Sequence, residues 1–291
     1  MKLFKLFIAS IVVIGLTSCL GNTSNTITQE FTPYCISYVT DVNTGVSTVN
    51  TGTIYKVNNN MDEGTLTLEI GNLKLPNGTY VSLNIADQRY TFNESGAMVV
   101  RIPSYTSVVA GMSHTITNLN FEYYNRYLGQ QSFPMVVLNY VIDDMYAARV
   151  IYSPAYYWGI TTVTDQNGNV FTNTAQTSFY GVQFFPDKNT AAFGAFSAKF
   201  AENMPALNMT FKDIPYTFSP NGYTLVKDEL IPNIGETPYP AYKITNFSMS
   251  GTWGGNQYVS FVCTIDTEKL KGEFHVSASL AIMPSNNTSG N

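Results

Sequence analysis

The chain has 291 residues and a formal charge of −5, with only 12% of its side chains charged while 14% are aromatic, including 20 Tyr and 18 Phe. With 15 Lys and Arg against 20 Asp and Glu, it lacks the basic footprint that a phosphate backbone requires, which excludes a nucleic-acid role. Its polarity rests on Asn, Thr and Ser, residues of strands and turns, and its length suits two ordinary domains.

The first element in chain order is a processing segment. Lys2 and Lys5 precede an apolar run from Leu6 to Leu16, shorter than the roughly 20 residues of a spanning helix. Residues 1–18 therefore read as a signal peptide. The run closes on Leu16-Thr17-Ser18-Cys19, which resembles a bacterial lipobox; the resemblance implies that Cys19 is acylated and becomes the first mature residue. Loss of Lys2 and Lys5 then moves the formal charge from −5 to −7. Residues 19–27, including Leu20-Gly21-Asn22-Thr23-Ser24, hold almost nothing to bury and are expected to form a solvated tether. The partner implied is a membrane, held stably through two or three acyl chains.

Residues 28–152 and 153–285 are expected to be two β domains, with a polar tail at 286–291. Period-two alternation, as in Thr65-Leu66-Thr67-Leu68-Glu69-Ile70 and Tyr80-Val81-Ser82-Leu83-Asn84-Ile85, signals half-buried strands. Turn formers punctuate them: Asn43-Thr44-Gly45, Pro76-Asn77-Gly78, Asn167-Gly168 and Pro220-Asn221-Gly222. The chain also matches itself. Asp87 to Phe92, with Gly96 beyond, aligns with Asp213 to Phe218 and Gly222 at an offset of 126. Ile116-Thr117-Asn118 aligns with Ile244-Thr245-Asn246 at 128, Val141-Ile142-Asp143 with Thr264-Ile265-Asp266 at 123, and Val39-Thr40-Asp41 with Val163-Thr164-Asp165 at 124. Collinear matches at nearly one offset mark an internal duplication with its boundary near Ser153-Pro154. The fold class expected is all-β: two tandem, internally duplicated antiparallel domains, each a meander barrel or a β-sandwich.

The lipobox, the Asn/Thr/Ser tether and the Asn- and Tyr-rich duplicated body are similar to the lipoproteins of Bacteroides-type bacteria, some with calycin-like domains. That resemblance implies an outer-membrane lipid anchor, facing the periplasm or the cell surface, and, for the calycin-like members, barrels with a small cavity open at one end. It carries no catalytic residue. Acidic residues, frequent after the acylated cysteine of surface-exported members, do not follow Cys19.

Candidates for chemistry are few. His114 and His275 have no metal-ligand spacing partner, and the chain has no Gly-x-Ser-x-Gly elbow. Asp165-Gln166-Asn167-Gly168-Asn169 places oxygen side chains as a calcium loop begins, but its glycine is misplaced, and it reads as a hairpin turn. Asp143-Asp144 and Asp228-Glu229 read as solvent-facing charges at strand ends. Asp87 and Asp213, equivalent in the two halves, read as turn caps. Cys35 and Cys263 read as two separate buried thiols. No catalytic set, cofactor site or metal site can be assembled. Aromatic clusters supply the candidate ligand-binding residues, Tyr157, Trp158 and Trp253, whose rings can stack on sugars or a protein. The function read from the sequence is a non-catalytic, lipid-anchored binding or accessory module for a glycan, small ligand or protein partner. The alternatives are a carboxylate-based hydrolase of envelope or dietary polymers and a purely structural envelope protein.

Overall fold

A computed structural model describes residues 25–128, 131–173 and 178–282; Cys19, the signal peptide and the tail 286–291 lie outside them. The chain is all-β. Among the described residues the helical pieces are two single 3-10 turns, Thr32–Tyr34 and Pro186–Lys188. Two compact units divide the chain between Ser153 and Pro154.

The first unit contains β1 (Thr26–Glu30), β2 (Cys35–Asp41), β3 (Ser47–Asn50), β4 (Ile54–Asn60), β5 (Thr65–Lys74), β6 (Tyr80–Arg89), β7 (Thr91–Phe92), β8 (Met98–Val109), β9 (Met112–Leu128), β10 (Gln131–Ile142) and β11 (Tyr146–Tyr152). They form two sheets, ordered β1-β4-β5-β6 and β3-β2-β11-β10-β9-β8-β7. Strand β1 begins inside the segment expected to be tether: Thr26 pairs with Asn60, and the Asn25 amide donates to Asp62 Oδ1 at 3.0 Å. Between the sheets side chains replace a ladder. Asn84 N–H donates to Ser107 Oγ at 2.8 Å and Ala86 N–H to the Tyr105 hydroxyl at 3.2 Å. On the other side the buried Ser37 and Tyr55 hydroxyls share a 2.6 Å hydrogen bond.

The second unit contains β12 (Ala155–Asp165), β13 (Val170–Asn173), β14 (Phe179–Phe185), β15 (Thr190–Ala198), β16 (Leu207–Ser219), β17 (Gly222–Leu230), β18 (Asn233–Ile234), β19 (Thr237–Pro238), β20 (Tyr242–Thr252), β21 (Gln257–Asp266) and β22 (Lys271–Ile282). Eight of these strands close a ring, β12-β14-β15-β16-β17-β20-β21-β22, because β12 pairs with both β14 and β22 and β15 pairs with β16. Barrel and two-sheet arrangements, both open from the sequence, are thus both used. Two of the barrel's ladders are absent from the first unit: β1 takes up the edge of β4 that β14 offers to β12 in the barrel, and β6 and β8 lie in separate sheets where β16 pairs with β17.

Among the described residues six bulges fall in the same order in the two units. Asn72, Asp87 and Asn118 in the first, and Ser197, Asp213 and Asn246 in the second, all have φ between 49° and 57°, and each lies at a break in ladder register. A left-handed residue inserted in one strand bends and twists it, which lets a sheet curl toward closure. Asp and Asn tolerate that conformation better than most side chains. Asp87 and Asp213 therefore act through their backbone rather than as the side-chain caps expected from the sequence. The N–H freed at a bulge is met from across the ladder: Asp87 N–H by Thr67 Oγ1 at 3.1 Å, and Ser197 N–H by Asn208 Oδ1 at 2.8 Å.

The barrel interior is filled by rings and thioethers. Phe193 stacks on Tyr180 at 5.8 Å and meets Phe247 at 5.2 Å, and Met209, Phe211 and Met249 beside them are fully buried. Each such side chain contributes about 1.5–3 kcal/mol of transfer free energy. Cys35 and Cys263 are buried free thiols, and burial raises both pKa values, that of Cys263 to about 12.

Candidate functional site

The outer wall of the barrel formed by β12, β22, β21 and β20 carries an open trough of about 500 Å³. Two rows of residues cross these strands in register. In one, Ile160, Ser279, Tyr258 and Ser250 are successive neighbours; in the next, Thr162, Ser277, Ser260 and Ser248 are. Alternation builds the wall: Val259, Phe261, Val276, Ala278 and Leu280 point to the core while the residues between them point out.

Tyr258 and Ile160 rise on either side of Ser279, with 56% and 50% of their surfaces exposed. The serines between them are small, so the trough runs along β22 with a hydroxyl floor, an aromatic wall and an aliphatic wall. No charged residue lines it. The neighbouring charges sit further along the strands, in the pairs Lys243–Glu229 at 3.1 Å and Lys271–Asp266 at 2.8 Å. Serine is a poor filler for the exposed face of a strand, where Thr and aromatics serve better. A neutral hydroxyl floor beside an exposed ring can accept and donate hydrogen bonds while stacking on an apolar ring face.

The three aromatic candidates from the sequence separate. Trp158 faces outward, half-buried, on the same side of β12 as Ile160, but it is not part of the trough lining. Tyr157 points into the barrel with 3% of its surface exposed, which removes it from any surface platform. Its hydroxyl lies 3.1 Å from that of Tyr223, and burial pushes its pKa up to about 12. Trp253 is half-buried at the end of β20; its Nε1–H donates to the Ser219 carbonyl at 2.8 Å and its ring lies 6.1 Å from Tyr223. Tyr157 and Trp253 thus meet through Tyr223 in an aromatic end of the core, joined by Phe184 and Phe218. Tyr258 and Ile160 were not singled out from the sequence. The available signal was the run Tyr258-Val259-Ser260-Phe261, in which every second residue is small or polar.

Several of the polar candidates have structural partners. Asp143 and Asp144 form the tight β10–β11 turn at φ of 52° and 54°. Asp143 Oδ2 lies 2.8 Å from His114 Nδ1, its Oδ1 accepts the Thr115 N–H at 2.8 Å, and Asp144 accepts the Thr117 hydroxyl at 3.1 Å. Sequence reasoning treated His114 and Asp143 separately; the β9–β10 pairing brings them together. Asp165 caps the β12–β13 turn, its Oδ1 accepting N–H groups of Asn167 and Asn169 at 2.8 Å each. The side-chain hydrogen bond from Asn169, followed by these backbone bonds, lowers its pKa. Among the described residues no three His, Cys, Asp or Glu side chains stand together as a metal site would need.

No family model and no curated protein matches the chain. Among solved structures, one described as an outer membrane protein of Bacteroides fragilis is 11% identical, with 86% of this chain and 96% of that one covered, at a TM-score of 0.34. A double mutant of Transferrin Binding Protein B from Haemophilus parasuis is 10% identical, with 89% and 76% covered, at a TM-score of 0.22. Likeness of this degree carries nothing about activity.

Proposed function

We propose that the chain is a non-catalytic, lipid-anchored protein of the bacterial outer membrane that binds an extended, neutral glycan along the β22 trough. The observation that carries the binding reading is the uncharged hydroxyl floor flanked by the exposed Tyr258 and Ile160. Sugar hydroxyls pair with serine hydroxyls, and the apolar face of a pyranose stacks on tyrosine. The lipid anchor rests on the Lys2-to-Cys19 segment alone. Internal duplication is the reading supported by the bulges in matching order and by a shared hydroxyl pair, Ser37 with Tyr55 and Thr161 with Tyr180.

Two experiments test this. With Cys19→Ala, membrane fractionation and palmitate labelling should both be lost; retention of label would reject the anchor. The same non-acylated chain on an array of neutral polysaccharides should be retained, and Tyr258→Ala should weaken retention by about 1 kcal/mol or more, as for an anchor residue at an interface. Turnover of any polymer that a single carboxylate substitution abolishes would establish the hydrolase instead.

A further inference from the structure

The trough does not end blindly. The outward column of β22 continues from Ser279 and Ser277 through His275 to Glu273, about 20 Å along an extended strand. Glu273 is on the lining of a second cleft, of about 230 Å³, at the barrel end where β12 turns into β13 and β21 into β22. We propose that this cleft is a pocket for a single neutral sugar residue, the terminal unit of a chain lying in the trough. The pocket rests on its own lining; its link to a chain rests on the glycan reading above.

The lining has the chemistry that a polyol needs. Glu202 and Glu273 offer acceptors, the Asn167 and Asn203 amides offer both donors and acceptors, and the Phe171 and Phe274 rings offer apolar surface. Each sugar hydroxyl is at once donor and acceptor, so it matches a mixed set better than a cation or an anion would. An anion would face the carboxylates of Glu202 and Glu273. A metal cation would lack a coordinating set, because among the described residues no three His, Cys, Asp or Glu side chains stand together, and the lining includes Lys271.

The cleft is also held in shape before any ligand arrives. The Asp165 carboxylate takes the N–H groups of Asn167 and Asn169 and, at 2.8 Å, the Asn169 side-chain amide, which fixes the turn that presents Asn167. A preformed pocket loses little freedom on binding.

The test uses the full mature chain carrying Cys19→Ala. Free glucose, galactose, mannose and N-acetylglucosamine are titrated while side-chain amide NMR signals are followed, and neutral hexasaccharides are titrated in parallel. At least one monosaccharide should move the Asn167 and Asn203 amides, and Phe171→Ala or Glu273→Ala should weaken it about tenfold. Tyr258→Ala should leave monosaccharide binding unchanged but weaken a hexasaccharide. Both Phe171 and Glu273 lie outside the packed core, and unchanged melting temperatures verify that their variants fold. If no monosaccharide moves those amides, or if the shifts survive both substitutions, the pocket is rejected. If a hexasaccharide binds through Tyr258 while Asn167 and Asn203 stay still, the pocket fails and the trough stands. Monosaccharide binding in the cleft with no effect of Tyr258→Ala on any hexasaccharide would sever the pocket from the trough.

Discussion

Thr161→Val and Tyr180→Phe, alone and together, give a sharp test of how the barrel is held where β12 meets β14. The Thr161 hydroxyl is 1% exposed and is hydrogen-bonded to the Tyr180 hydroxyl, whose ring is also 1% exposed and stacks on Phe193. Removing the tyrosine oxygen alone strands a buried threonine hydroxyl and should cost about 1–3 kcal/mol. Thr161→Val keeps the side-chain shape and strands the tyrosine oxygen, with a similar cost. Removing both leaves two apolar groups in contact, so the double variant should lose much less than the sum, a coupling of at least about 1 kcal/mol. The two tryptophans, Trp158 and Trp253, both lie beyond Pro154, so fluorescence during a urea titration reports the second unit selectively. Losses that simply add would show that the two hydroxyls do not depend on each other and would refute the argument.

Gly251→Ala should destabilise the second unit by about 1–3 kcal/mol, as overpacking does. Its Cβ would overlap Gln257 Oε1 and lie 2.9 Å from the Tyr223 ring; an unchanged urea midpoint would contradict this packing. Asp87→Gly and Asp213→Gly should be neutral or stabilising, whereas the Val variants should each cost more than about 1 kcal/mol, because a β-branched residue resists positive φ. Equal effects of Gly and Val would return these residues to a side-chain role. Alkaline pH should unfold the protein. Burial raises the Tyr157 and Tyr180 pKa values from 10.0 to about 12, so each holds its proton more tightly folded than unfolded. Their contribution is intact below pH 10 and is lost as pH rises from 10 through about 12. Tyrosinate absorbance should therefore rise together with the loss of structure, and full ionisation in a still folded protein would be inconsistent with this burial.

Much of the architecture is legible in the chain itself, because strands and tight turns are local. Alternation in Thr65 to Ile70 and in Tyr80 to Ile85 predicts β5 and β6 where they occur, and Asn167-Gly168 lies in the β12–β13 turn. The repeated Asp87/Asp213 and Asn118/Asn246 are also visible as a pattern, though only their φ angles reveal that the pattern marks bulges. What the sequence could not decide are relations between distant strands. Tyr157 and Trp158 are adjacent, and one residue of register separates a core ring from a surface ring; the pairing of β12 with β14 and β22 made that choice. Whether a unit closes into a barrel or remains two sheets depends on two ladders between strands: in the first unit β1 takes the edge of β4, and β6 does not pair with β8 as β16 does with β17 in the second. The trough exists because β12, β20, β21 and β22 align Ile160 with Ser279, Tyr258 and Ser250. These residues are far apart along the chain, and hydrogen-bond register between strands, which no local window records, makes them neighbours.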